Sequence, residues 1–200
     1  MDRRLYGQVH RSVRSFVIQE RQVALLRGVN VGRANRVAMA DLRKLVAALG
    51  FLEVSTLLNS GNVVYTSPGG TPRDSAARIE NALKNELGVA SRVIALSAGE
   101  LADVIARNPL LSIADDPSRL IVAVLANASD RSKLAHMEKL DWGRDALSVG
   151  RHAAYLWCAE GLIASKLNAA VNKALGEAVT SRNWATILKL QEMLQKSSQE

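Results

Sequence analysis

The sequence is short of the residues that most often announce chemistry. Its one cysteine, Cys158, excludes an internal disulfide and a cysteine-rich zinc cluster, and it points to a reducing cytoplasm. His10, His136 and His152 stand far apart without metal-ligand spacing, so no metal and no cofactor are expected. Aromatic residues make up only 4% of the chain. The strand-like run NVVYTS offers a single ring, Tyr65, which argues against an RNA-stacking sheet. No apolar run approaches the roughly 18 residues needed to cross a bilayer, and no membrane association is expected. No G-x-S-x-G elbow or G-x-G-x-x-G loop occurs either, which removes the most recognisable nucleophile and dinucleotide signatures.

What is present is a chain of ordinary globular make-up, 48% hydrophobic and 22% charged over 200 residues. A chain of that length hides roughly 70% of its unfolded surface on folding, enough to need no covalent staple. Its net charge of +7 is unevenly placed. Residues 21–52 carry Arg21, Arg27, Arg33, Arg36, Arg43 and Lys44 against Asp41 alone, whereas residues 53–200 are balanced. A positive field confined to one stretch attracts phosphate or carboxylate groups; the competing reading is a solvated face on one loop and one helix.

Periodicity gives the order of elements. Residues 1–21 show no helix or strand period and read as a flexible basic extension. VALLRG (23–28) is a strand, and Leu42, Leu45, Val46 and Leu49 mark a helix over 39–49 that ends at Gly50. LEVSTLL (52–58) and NVVYTS (62–67) form a hairpin around Asn59, Ser60 and Gly61. Thr71, Pro72 and Asp74 start a second helix, and RVIAL (92–96) is the next strand. The resulting β-α-β-β-α-β order is that of a ferredoxin-like sandwich.

A helix opened by the Ser97–Glu100 capping box connects this unit, residues 22–107, to a second one, 108–196. There the order restarts with the strand RLIVAVLA (119–126), a helix from Ser129 or Asp130 to Leu140, and a hairpin flanking Gly150 and Arg151. A helix carrying Ile163, Leu167 and Val171 follows. The segment TSRNWATILKLQEML reads as a C-terminal helix capped by Thr180 or Ser181 that takes the place of a final strand. The fold class is therefore α+β, with two ferredoxin-like units of antiparallel sheet covering one another's open faces and an extra C-terminal helix; residues 197–200 are a disordered tail.

Three polar clusters carry the candidate chemistry. The first follows a strand and precedes a helix, where backbone amides can cradle an anion: Arg27, Gly28, Asn30 and Gly32. Ser60, Gly61 and Asn62 sit at the hairpin, and Arg182 and Asn183 at the last helix start. Each also has a plain architectural reading, since NSGN suits a tight turn and TSRN suits a helix cap. Cys158 and the adjacent Asp115 and Asp116 read as core and solvated turn.

The segments ALLRGVNVG (24–32), with Met39 and Leu42, NSGNVVYTS (59–67) and TSRNWATILKL (180–190) together resemble the bacterial domain of unknown function 1697 family. The resemblance spans about residues 22–196 and implies two α+β units of ferredoxin-like character with no assigned activity. It places the family's polar signature on the residues of the three clusters and on Trp184. The chain departs from that signature at Asn59, where the family has glutamine, and at Arg33, where it has a second glycine.

Three functions stay open. The first is a cytoplasmic binder of an anionic ligand, a nucleotide or nucleic-acid phosphate, in a cleft between the units. The second is an enzyme acting on a small phosphorylated or carboxylated metabolite, with Arg27 and Arg182 as clamps. The third makes the clusters turn and cap hardware that joins the units, with function lying in a protein partner.

Overall fold

The computed structural model describes residues 19–31 and 35–196. The basic extension, the candidate Gly32 with its neighbour Arg33, and the tail 197–200 lie outside the described residues, apart from Gln19, Glu20 and Arg21.

The first unit runs β1 (Glu20–Leu26), α1 (Met39–Ala48), β2 (Leu52–Leu57), β3 (Asn62–Ser67), α2 (Pro72–Leu87) and β4 (Val93–Ser97). Its sheet has the order β2-β3-β1-β4 and is antiparallel throughout. After α3 (Ala98–Ala106) the second unit follows with β5 (Leu120–Leu125), β6 (Ala146–Val149), β7 (Ala153–Trp157), α4 (Lys166–Leu175) and β8 (Val179–Asn183). Its sheet, β6-β7-β5-β8, repeats the first order, and α5 (Trp184–Gln195) closes the described chain.

Local chemistry explains the ends. At α2 the Thr71 hydroxyl accepts from the Asp74 amide, the Asp74 carboxylate accepts from the Thr71 amide, and Pro72 occupies the first turn. Gly88 closes the helix with a left-handed φ of 66°. Ser97 and Glu100 form the same reciprocal pair at α3.

The strand alternation assembles a five-layer molecule. In β1, Val23 and Leu25 face one way and Ala24 and Leu26 the other; all four are fully buried. The second set packs with α1 and α2 through Leu42, Ile79 and Leu83. The first set meets β5 residues Leu120, Val122 and Val124 across a central layer filled by α3 and α5. Trp184, Ile187 and Leu190 of α5 belong to that layer, and the Tyr155 hydroxyl donates to the Val104 carbonyl at 2.7 Å, tying the second sheet to α3. Ile121, Ala123 and Leu125 turn outward onto α4. The units thus cover each other's open sheet faces through two helices rather than by direct contact alone.

Three expectations are corrected. Residues 129–140 are not an α-helix but two short 3-10 turns, Ala128–Lys133 and Met137–Lys139. Asn127 and Asp130 lock the first turn, and only Leu134 and Met137 plug into the core, too few apolar positions to carry a helical stripe. The final strand also exists: residues 179–183 pair with β5, and α5 starts only at Trp184 with Asn183 as its cap. Thr180 and Ser181 alternate across a pleat instead of capping, because the β5 edge supplies ladder partners that a sequence window does not show. Ile163 stands outside α4, which starts at Lys166 with Ser165 as cap, and is fully exposed.

Candidate functional site

The hairpin and the β1 end come together because residue 61 is glycine. A Cβ there would lie 2.5 Å from Val29 Cγ2 and 2.7 Å from Leu26 Cβ, and φ is +72°. The close approach lets the Leu26 amide donate to the Gly61 carbonyl at 2.8 Å. Asn30 then binds the loop to the hairpin: its side-chain amide donates to the carbonyls of Val37 and Asn59, and its oxygen accepts from the Val37 amide. Asn62 is fully buried and donates to the Leu57 carbonyl and the Ser60 hydroxyl.

Arg182 reaches into this assembly from β8. Its Nε donates to Asn62 Oδ1, one terminal nitrogen to Thr180 Oγ1 at 3.0 Å and the Ser181 carbonyl at 2.8 Å, and the other to the carbonyls of Leu26 at 2.8 Å and Ser60 at 3.0 Å. All five guanidinium donors are therefore engaged by protein acceptors. Among the described residues no carboxylate pairs with it, and burial pushes its pKa down to about 10. Arg27 makes the return contact, donating to the Val179 carbonyl on β8, with Glu177 at 3.8 Å from its Nε.

The described residues of two clusters and Arg182 of the third thus meet at one joint between the units. Gly28 stands exposed beside it with φ +64°, whereas Asn183 turns away, its oxygen accepting from the Thr186 amide. Among the described residues of the basic stretch, Arg21, Arg27 and Arg43 disperse instead of lining one hollow. Arg21 donates to the Lys196 carbonyl, and Arg43 to Thr56 Oγ1 at 2.8 Å.

The hollow lies elsewhere. A cleft of about 470 Å³ opens between α2 and β4 of the first unit and, from the second, the end of β5 with its following turn and the β6–β7 turn. Arg73 and Arg92 line one wall, Arg151 and His152 the other, with Asn81 and Asn127 as neutral donors. Arg92 is held by Glu80 at 3.2 Å, and His152 Nδ1 lies 3.8 Å from Glu100 Oε1. Arg73 and Arg151 are exposed and have no ion-pair partner among the described residues. Sequence reasoning passed over the three arginines and the histidine, because they come from the stretch whose charges balance along the chain. The signals available were the Thr71-Pro72 helix start and the Gly150-Arg151 turn, both recognised only as local structure.

The family model described as protein of unknown function, DUF1697, matches residues 20–155. Among solved structures, a conserved bacterial protein, SP0830 from Streptococcus pneumoniae, is similar in fold: the TM-score is 0.74 at 24% identity, over 90% of this chain and 100% of that one. No curated protein matches the chain.

Proposed function

The chain belongs to the DUF1697 family of proteins of unknown function, and for this member we propose a binder of an anionic, phosphate-bearing small molecule held in the cleft between the two units. The observation that carries the reading is the meeting of Arg73 and Arg151, one from each unit and neither ion-paired among the described residues, across a cleft of about 470 Å³. That volume falls in the range of roughly 300–1,000 Å³ usual for small-molecule sites. Guanidinium groups recognise phosphate oxygens in pairs, and the lone cysteine, free and buried, suits a reducing cytoplasm.

Arg27, Asn30, Ser60, Gly61, Asn62 and Arg182 serve this site at one remove in the same reading, by fixing the angle between its walls. The side-chain nitrogens of Asn30, Asn62 and Arg182 and one of Arg27 already donate to protein acceptors, so an anion would have to displace them. An enzymatic variant draws on His152 and Glu100, a carboxylate beside an imidazole on the same cleft. Release of inorganic phosphate from a bound phosphoester would favour it.

Inorganic pyrophosphate and ribose 5-phosphate at millimolar concentration and low salt are the direct probes, and each should raise the melting temperature by mass action. Arg151→Ala should weaken binding at least tenfold while leaving stability within about 0.5 kcal/mol, as for an exposed side chain. If neither probe moves the melting curve, the cleft is not an anion site.

A further inference from the structure

We propose that the ligand is a nucleotide whose base hydrogen-bonds to the main chain of Ala95; the proposal rests on the cleft reading above and names the ligand class. Among the described residues β4 is paired on one side only, by β1. The Leu26 amide bonds to β3 and the Arg27 amide to the Arg92 carbonyl, so even-numbered residues of β1 face β3 and odd-numbered ones face β4. Antiparallel alternation then points residues 92, 94 and 96 of this strand at β1 and turns the N–H and C=O groups of Val93, Ala95 and Ser97 outward.

That outer edge borders the cleft, whose lining runs through Val93, Ala95 and Leu96. Two of its three outward amides are taken: Glu80 accepts from the Val93 amide at 3.0 Å and Glu100 from the Ser97 amide at 2.9 Å. Ala95, half-buried, keeps an N–H and a C=O with no protein partner among the described residues. An open strand edge ordinarily invites another strand, which adds through alternate residues over several positions. Here the carboxylates at both ends block that ladder and leave one donor beside one acceptor. A planar ring with an acceptor next to a donor fits such a pair, and every nucleobase presents one on its pairing edge. Asn81, exposed on α2 at the same cleft and without a hydrogen-bond partner among the described residues, supplies a further polar contact. Arg73 and Arg151 meet the phosphate.

The test compares the four nucleoside 5′-monophosphates with ribose 5-phosphate by calorimetry, with amide chemical shifts recorded in parallel. The tightest nucleotide should bind at least tenfold more tightly than ribose 5-phosphate, and the Ala95 amide should shift with that nucleotide but not with the sugar phosphate. Ala95→Pro removes an outward N–H and no ladder bond, a substitution an edge position tolerates, and it should cost the nucleotide at least tenfold while leaving ribose 5-phosphate unchanged. Equal affinities, or an unmoved Ala95 amide, would overturn the nucleotide proposal and leave the anion site standing. No binding by any of the five would overturn both. Should Ala95→Pro fail to fold, the affinity ratio and the amide shift decide between these outcomes without it.

Discussion

β4 and β8 hold the same position in their units, each the last strand of its sheet, beside the first strand and with one side unpaired. They finish differently. On β8 the outward carbonyls of Val179 and Ser181 are taken by the guanidinium groups of Arg27 and Arg182, and the Arg27 contact joins this edge to the first unit. On β4 the outward amides of Val93 and Ser97 are taken by carboxylates and the middle is left open on the cleft. One topology used twice therefore yields one edge that assembles the molecule and one that faces a hollow. The sign of the capping side chain separates them, because cations bind carbonyls and carboxylates bind amides.

The sharpest way to break this contrast is Arg182→Ala. It strands five main-chain and side-chain acceptors in a partly buried joint, and the expected loss of about 3–5 kcal/mol in chemical denaturation reflects several charge-assisted hydrogen bonds lost at once, each worth about 1–3 kcal/mol. A loss below about 1 kcal/mol would mean that the β8 edge is not what joins the units. Arg27→Ala should cost less, about 1.5–3 kcal/mol, since it removes one charge-assisted hydrogen bond to Val179 from a side chain with 26% exposure. Loss of ligand at unchanged melting in that variant would instead move the binding site to the first cluster.

The smallest expected effect concerns the crossovers. Where the first unit has α1, the second has a 3-10 turn in which Asp130 accepts from Lys133 Nζ at 2.7 Å and from the Asn127 amide. The Lys133 hydrogen bond, first, and the Asn127 contacts hold the Asp130 carboxyl below its ordinary value of 3.8. A folded-state pKa below the unfolded one means stability that is present above about pH 4 and lost as the pH falls through the lowered value. Asp130→Asn should accordingly flatten the acid limb of the unfolding curve below pH 4. An unchanged limb would show that the turn is held by its apolar plugs alone.

Element type was legible wherever a stripe or a cap wrote itself into adjacent residues. Thr71 with Asp74 and Ser97 with Glu100 mark their helices by contacts three residues apart, and the continuous burial of β1 on both faces follows from its own apolar run. The failures share a cause. Thr180 and Ser181 have the composition of a cap, and only the neighbouring β5 edge makes them strand. Ser129 to Leu140 has helix-forming residues, yet local polar locks and two buried plugs bend it into 3-10 turns.

The three clusters were visible because Gly61, Asn30 and Asn62 are residue types that tight backbone geometry demands. That Arg27 and Arg182 would spend their donors on the protein was not visible, since their acceptors in the opposite unit lie 120 or more positions away.

By itself, then, the sequence determined the β-α-β-β-α-β plan of the first unit, the strands β5, β6 and β7 of the second, the caps of α2 and α3 and the alternating strand faces, because each depends on residues a few positions apart. Tertiary structure alone decided that Arg182 would be partly buried with no carboxylate partner among the described residues, that Arg21, Arg27 and Arg43 would disperse, and that Arg73 and Arg151 from a charge-balanced stretch would flank one cleft. The reason is distance in space. Electrostatic attraction and desolvation act across a few ångströms, and Arg73 and Arg151 stand 78 positions apart in the chain until the two sheets close over their shared layer.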